Sequence, residues 1–339
     1  MVKDDRKPAR LGDVAAEAGL SPAAVSRYLS GKLSLPAATS ERIDEAVRKL
    51  AYKPNPHASG LSRGRADAIG LVVPDIANPF FARLAAEIER EVDALGLALV
   101  LGVTLNRAGR ELEYIERLRR NHVDSLIFMT NHVGTARLAR EINAARSVVL
   151  VDEDIAGTNV PKVFCDNERG GYLATRHLIE AGHRRLGFVG GPMGMYTNTL
   201  RLGGYRKAIR ESGPGTESVF ESFNDYTREG GRLATQELLA SASGATALFY
   251  TSDAALLGGL EILGSAMVSV PGTMSLISFD DVEPLSLLHP PVTAIHQPLA
   301  EMGRRSVKAV LGHSSLTRSS EDLVPISLVI RESVKAPTL

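Results

Sequence analysis

Apolar positions between Leu11 and Leu50 recur at helical spacing in three short runs. From Ala68 onward they fall instead into short continuous runs separated by amphipathic stretches. In the first run Val14, Ala15 and Ala18 make a stripe at i, i+1 and i+4, and Gly19 stands where a left-handed residue ends a helix. Ser21 is placed to cap a second helix, with Pro22 at its first position, where the missing N–H costs nothing. Val25 and Leu29 form that helix's inner stripe, so Pro22, Ala23, Ser26 and Arg27 point outward on its first turns. A third helix follows with Ile43, Ala46, Val47 and Leu50 inward, Thr39 or Ser40 as its cap, and Pro54 and Pro56 ending it. Two short helices joined by a glycine turn, the second polar outside, is the pattern that enters a DNA groove. Any small helical hairpin shares the outline.

Residues 55–66, NPHASGLSRGRA, are small, basic and glycine-containing, which reads as a linker of weak helicity or a plain tether. Beyond it AIGLVVP predicts a strand, FFARLAAEIEREVDALG an amphipathic helix, ALVLGVT a strand and YIERLRRNHV a helix. SLIFMT, ARLAREINAA and SVVLVDED continue the alternation. A second run begins after Asp166: GYLATRHLIEAGH, RLGFVGG, LRLGGYRKAIRESG, SVFESFN, REGGRLATQELLAS, ATALFYTS, ALLGGLEILGS and TMSLISFD. Continuous apolar strands alternating with helices mean parallel sheets covered on both faces. The expected fold is therefore an α-helical head followed by two doubly wound parallel α/β lobes in series. Ligands of such lobes bind at strand carboxyl ends, here in the cleft between them.

The 339 residues are neutral overall, but the charge is uneven. Through Arg65 stand 12 Lys and Arg against 7 Asp and Glu, a net of +5, so the remainder carries −5. A basic head on an acidic body fits a DNA-binding module joined to a separate sensor. The single cysteine, Cys165, excludes an internal disulfide and fits a reducing cytoplasm. The N-terminus has no apolar segment of signal type, and no apolar run approaches the roughly 18 residues of a membrane span. The eight histidines pair with no nucleophile motif, no metal spacing occurs and no GKS or GKT phosphate loop is present, so neither an enzyme nor a cofactor is expected.

Over essentially its whole length the chain resembles the LacI family of bacterial transcription regulators. The carrying motifs are DVAAEAGLSPAAVSRYL, AYKPN, AIGLVVPDIANPFF, DNERGG, HLIEAGHRRLGFVGG, RLGGYRKAI, LISFDD and TAIHQPLAEMG. The resemblance implies a helix-turn-helix headpiece (1–54), a hinge helix or linker (55–66) and a periplasmic-binding-protein-like sensor (67–339). Lobe 1 would span about 67–164 and 297–330, and lobe 2 about 165–296. It also implies a cytoplasmic homodimer on a palindromic operator, without a membrane partner. Three positions depart from the family pattern: Arg10 before the first helix, Ser30 after the second, and Ser59-Gly60 in the linker, which weakens a hinge helix on its own. No leucine-heptad tail follows Val329, which speaks against tetramers.

For DNA, the resemblance makes Pro22, Ala23 and Arg27 base-reading positions. Arg27 can fork onto guanine or hold a phosphate, whereas Pro22 and Ala23 offer apolar contact only. Ser21, Ser26, Thr39 and Ser40 are expected at the phosphate backbone, Asn55 is a further DNA-binding position, and Leu61 matches an intercalating leucine that would bend the operator. For the effector, Asp75, Asn78, Phe80, Phe81, Asp152, Thr197, Arg201, Tyr226, Ser252, Asp253 and Asp280 are the candidates, most of them following strands. One of the two phenylalanines would pack the core and the other stack on a ligand. Asp166 and Asn167 either join the site or cap the next helix, and Gly190-Gly191-Pro192 reads as a tight turn rather than a phosphate loop. Thr197 matches a contact of the purine-sensing branch, but Met195 stands where that branch has arginine. The expected effector is a small neutral sugar, most simply a monosaccharide that releases a repressor from DNA. A sugar acid or phosphate, or a corepressor, is the alternative, and a periplasmic-type sugar-binding protein is more remote.

Overall fold

Helix capping and apolar spacing set the first three elements. The computed structural model describes residues 9–29, 33–52, 68–120, 123–241, 243–314 and 320–337. The chain divides into two units, residues through Asp67 and residues from Ala68. In the first, α1 spans Leu11–Ala18, α2 Pro22–Leu29 and α3 Ala37–Lys49. Val14, Ala15, Ala18, Val25, Ile43 and Ala46 form its core, with Leu29, Val47 and Leu50 half-buried around it. Gly19 adopts φ 66°, as the helix end requires. Arg10 leaves α1 without a side-chain acceptor of its own, and Asp13 compensates: its carboxylate accepts from the Arg10 N–H at 2.7 Å. Ser21 Oγ accepts from Ala24 N at 3.2 Å, the expected cap of α2. The cap expected of Thr39 or Ser40 does not form. The helix starts earlier, at Ala37 with Pro36 as its N-cap, and Ser40 Oγ donates back to Leu35 O at 3.3 Å.

The second unit contains two six-stranded sheets. The first has the order β11-β5-β4-β3-β1-β2, with β1 Ala68–Val73, β2 Ala98–Val103, β3 Ser125–Phe128, β4 Val148–Val151, β5 Lys162–Cys165 and β11 Glu321–Val324, all parallel. The second has the order β12-β10-β9-β8-β6-β7, with β6 Arg185–Gly190, β7 Glu217–Phe223, β8 Ala247–Tyr250, β9 Ser275–Phe279, β10 Thr293–His296 and β12 Ser327–Val329. Residues to 330 are expected in lobe 1, but β12 pairs antiparallel with β10 in the second sheet, through Ile295 and Leu328. The strand β5 escapes the periodicity reading because four residues, KVFC, carry too little pattern.

Helices cover both sheets: α4 Pro79–Asp93, α5 Ala108–Arg120, α6 Ala136–Ala144 and α12 Leu299–Val310 on the first, and α7 Asn167–Glu180, α8 Tyr196–Glu211, α9 Arg228–Ala240 and α10 Asp253–Ser265 on the second, with the short α11 Glu283–Leu287 beside them. Phe128, Phe164, Phe188, Phe249 and Phe279 are fully buried in the two sheets. Burying each such ring stabilises by roughly 1.5–3 kcal/mol. Two helix pairs of the second lobe touch backbone to backbone. A Cβ on Gly171 would lie 2.1 Å from Arg201 O, and one on Gly258 1.9 Å from Arg228 O. The chain crosses between lobes after β5, β10 and β11, so β4, β6, β8 and β9 all aim their carboxyl ends at one cleft. Among the described residues no helix is long and apolar enough to cross a membrane.

Candidate functional site

In the helical unit Ser21, Pro22, Ala23 and Arg27 are exposed on α2, with Ser26 half-buried beside them. The Arg27 Nε donates to Ala23 O at 3.3 Å, so its guanidinium lies along its own helix. Helix α3 braces both partners of this surface. Arg42 donates to Ala18 O at the end of α1, and the Tyr28 hydroxyl of α2 donates to Asp44 Oδ2 at 3.1 Å. Thr39 lies half-buried in the first turn of α3. Asn55, Leu61 and the Ser59-Gly60 pair lie outside the described residues, as does Ser30.

The cleft of the second unit is lined by Asn78, Phe80, Phe81, Asn131 and Asp152 from the first lobe, and by Thr197, Arg201, Tyr226, Ser252, Asp253 and Asp280 from the second. About 20 Å³ is free among these side chains, room for about one water. Asp75, expected here, is not part of the lining. Its carboxylate turns back on its own loop and accepts from Ala77 N at 2.9 Å. Asn131, which follows β3, is a lining residue that the sequence reading misses. Its side chain is fixed by a 3.2 Å bond to Asn106 Oδ1. Its signal was its position, since the turn after an apolar strand is where the other lining residues lie.

Arg201 is the centre of the site and is 3% exposed. It projects from the second turn of α8, whose approach to α7 is set by Gly171. Its Nε donates to Asn167 Oδ1 at 2.7 Å and its Nη1 to Thr251 O at 2.6 Å, and its guanidinium carbon sits 3.7 Å from the centre of the Phe279 ring. Asn167 therefore orients the arginine, whereas Asp166 caps α7 by accepting from Arg169 N at 3.0 Å. The two residues left open by the sequence thus divide the roles. Phe80 and Phe81 pack edge to face at 5.1 Å, and both belong to the buried core while also lining the cleft. The Tyr226 ring occupies the space a Cβ on Gly191 would need, which explains that glycine as a packing requirement.

Three buried carboxyl groups share the cleft with Arg201. Burial pushes Asp152 up to about 7, against the pull of Arg201, and Asp280 and Glu153 push the same way. Burial likewise raises Asp253 to about 7, helped by Asp280, and raises Asp280 itself against Arg201. Asp280 accepts from Gln297 Nε2 at 2.5 Å, while Asn78 Nδ2 reaches across the cleft to Asp253 Oδ1 at 3.5 Å. Among the described residues, Asp152 Oδ1 and Asp253 Oδ2 have no hydrogen-bond partner although buried. Each such orphan costs roughly 1–3 kcal/mol. Asp152 and Asp280 also adopt left-handed backbone angles, φ 72° and 67°, a strain that gathers at functional sites. A ligand offering several hydroxyl donors, with an acceptor for Arg201, would satisfy this set.

Comparison with known proteins agrees with this architecture. A family profile described as bacterial regulatory proteins, lacI family, matches residues 10–55, and one for a periplasmic binding protein-like domain matches residues 175–334. The HTH-type transcriptional repressor CytR of Escherichia coli (strain K12) is 30% identical, with 98% of each chain covered. The HTH-type transcriptional regulator GalR of the same strain is 30% identical over 98% of this chain and 97% of its own. Among solved structures, the transcriptional regulator CelR in complex with cellobiose is 29% identical at a TM-score of 0.71, covering 96% of this chain and 99% of that one. The lac repressor dimer bound to operator and the anti-inducer ONPF shares the fold at a TM-score of 0.83 and 24% identity, covering 97% and 100%.

Proposed function

The chain belongs to the LacI family of bacterial transcription regulators, and from that premise we propose that it is a repressor whose grip on operator DNA is loosened by a small neutral sugar held between the sensor lobes. The observation that carries the effector half is the cleft itself. One buried arginine and three buried carboxylates converge, and among the described residues two of the carboxylate oxygens lack partners. Such a set matches a polyol, whose hydroxyls donate to carboxylates and accept from a guanidinium. The acids nearby disfavour a sugar acid or phosphate. The sugar complex of the CelR relative supports the same ligand class. Phe80 and Tyr226 supply ring faces for the C–H side of a sugar.

The operator half rests on α2. Ser21 and Ser26 would set register on phosphates together with Thr39 and Ser40, Pro22, Ala23 and Arg27 would read base edges, Asn55 would also touch DNA, and Leu61 would wedge open the central step. The protein would act in the cytoplasm as a homodimer on a palindrome of roughly 14–20 base pairs, one half-site per subunit. Leu101 in the edge strand β2, Leu95 before it and Leu105 after it are all about half exposed and suit burial in such a dimer. Ligand would enter between parted lobes, and lobe closure around it would shift the first lobes of the dimer and separate the two linkers, so that they no longer fold as paired hinge helices. The test is a melting-temperature screen of the full chain against mono- and disaccharides. A binder of the native state raises the melting temperature in a saturable way. A panel in which no sugar does so removes the sugar from this reading.

A further inference from the structure

The loop after β4 carries three adjacent acids that go separate ways. Asp152 turns into the cleft, and Asp154 pairs with Lys162 at 2.6 Å. Glu153 crosses to the other lobe. Its Oε1 accepts from Tyr196 N at 2.6 Å, and its Oε2 accepts from Thr197 N at 3.2 Å and from Thr197 Oγ1 at 2.6 Å. Only 1% of it is exposed. These donors are the N-terminus of α8, a helix whose N-cap residue, Met195, supplies no side-chain acceptor.

That N-terminus has the makings of an anion site. It follows a glycine-rich turn, its first N–H groups are free of helical partners, and Arg201 lies on its second turn. In this chain both parts of the site are taken. The Tyr226 ring fills the space above Gly191, and the Glu153 carboxylate takes the N–H groups. A second bond from the same helix end, from the Tyr196 hydroxyl to Glu321 Oε2 at 3.2 Å, also joins the two lobes.

We propose that Glu153 is the resident anion of α8: a first-lobe carboxylate that occupies the second lobe's helix terminus, denies that position to phosphate- or carboxylate-bearing ligands, and clasps the lobes together. The inference rests on reading the cleft as the effector site and makes Glu153 a specificity-determining residue there. A neutral sugar can use Arg201 without contending for the helix end. A sugar phosphate would have to displace a buried carboxylate that makes three hydrogen bonds.

Chemical rescue of full-length Glu153→Ala tests this. The variant is expected to melt about 5 °C or more below the wild type, because it leaves buried N–H groups unpaired. Acetate at about 0.1 M should restore at least half of that loss by occupying the vacated site, whereas chloride at equal ionic strength should not. The wild type, its site filled, should not respond to acetate. Equal effects of acetate and chloride on the variant, or an equal gain by the wild type, would overturn the proposal. Glu153→Gln covers an alanine variant that does not fold. It keeps the volume but offers one neutral acceptor to three donors, so it should melt below the wild type, and an unchanged melting temperature would also overturn the proposal. Neither measurement uses operator or sugar. Mobility shifts of the same variants on operator DNA test the regulator reading separately.

Discussion

Asp152 and Asp253 are held as half-neutral acids near pH 7 by burial, and that has a thermodynamic consequence. A carboxyl whose folded pKa is raised favours the folded state while it stays protonated. The favourable difference is complete below the ordinary carboxylate range and is lost as pH rises through about 7. Asp152→Asn keeps the shape and removes the titration. Its stability relative to the wild type should therefore grow between pH 5 and 8, by an amount on the order of 2–4 kcal/mol. Chemical denaturation at several pH values measures this, and a difference that stays flat with pH contradicts it. A polyol donating to these carboxylates favours their charged form, so its binding near pH 7 should release protons. Calorimetry in buffers of different ionisation enthalpy would detect the release.

Arg201 and Arg27 mark the two ends of the account at the same scale. Arg201→Ala should abolish the sugar response while operator binding persists, since the guanidinium touches only sensor groups. Loss of operator binding in that variant would mean that Arg201 holds up the fold instead. Arg27→Ala should cost about 1–3 kcal/mol and relax preference at one base pair per half-site. A uniform loss over all sequences would make Arg27 a phosphate contact.

At the scale of elements, the second lobe depends on glycines that let helices touch. Gly171→Ala would drive a methyl group into the backbone of Arg201 and push α8 off α7. The expected loss is at least the roughly 1–3 kcal/mol of ordinary overpacking. Ligand binding should fail before operator binding does, as sugar and operator titrations of the one variant would show.

How much of this was legible in the sequence follows the same physics. The helices and most strands could be read, because their apolar periods are long enough to see. Helix starts were not, where the cap comes from far away: α8 begins at Tyr196 rather than near Leu200 because Glu153, on another lobe, satisfies its first N–H groups. The cleft side chains could be placed by their position after strands. Asp75 satisfied that rule and still missed the site, since its carboxylate closes a local turn. Gln297 acts through Asp280, distant in sequence, and no local spacing marks it. The pair Gly170-Gly171 did carry a signal, because glycine inside an amphipathic helix marks a close approach.

At the scale of the whole molecule, the lobes meet over a lining that leaves about 20 Å³ free, so the position of the lobes and the occupancy of the cleft are one equilibrium. The central claim is that this equilibrium sets operator affinity. The direct measurement is a fluorescence-anisotropy titration of full-length protein on a palindromic site selected from a random DNA library. It is made with and without the sugar that gives the largest melting shift. The account predicts that the sugar weakens operator binding about tenfold or more, which is about 1.4 kcal/mol of coupling, and that Arg201→Ala removes the effect. Tighter operator binding in the presence of the sugar, or an affinity that no sugar changes, would contradict it.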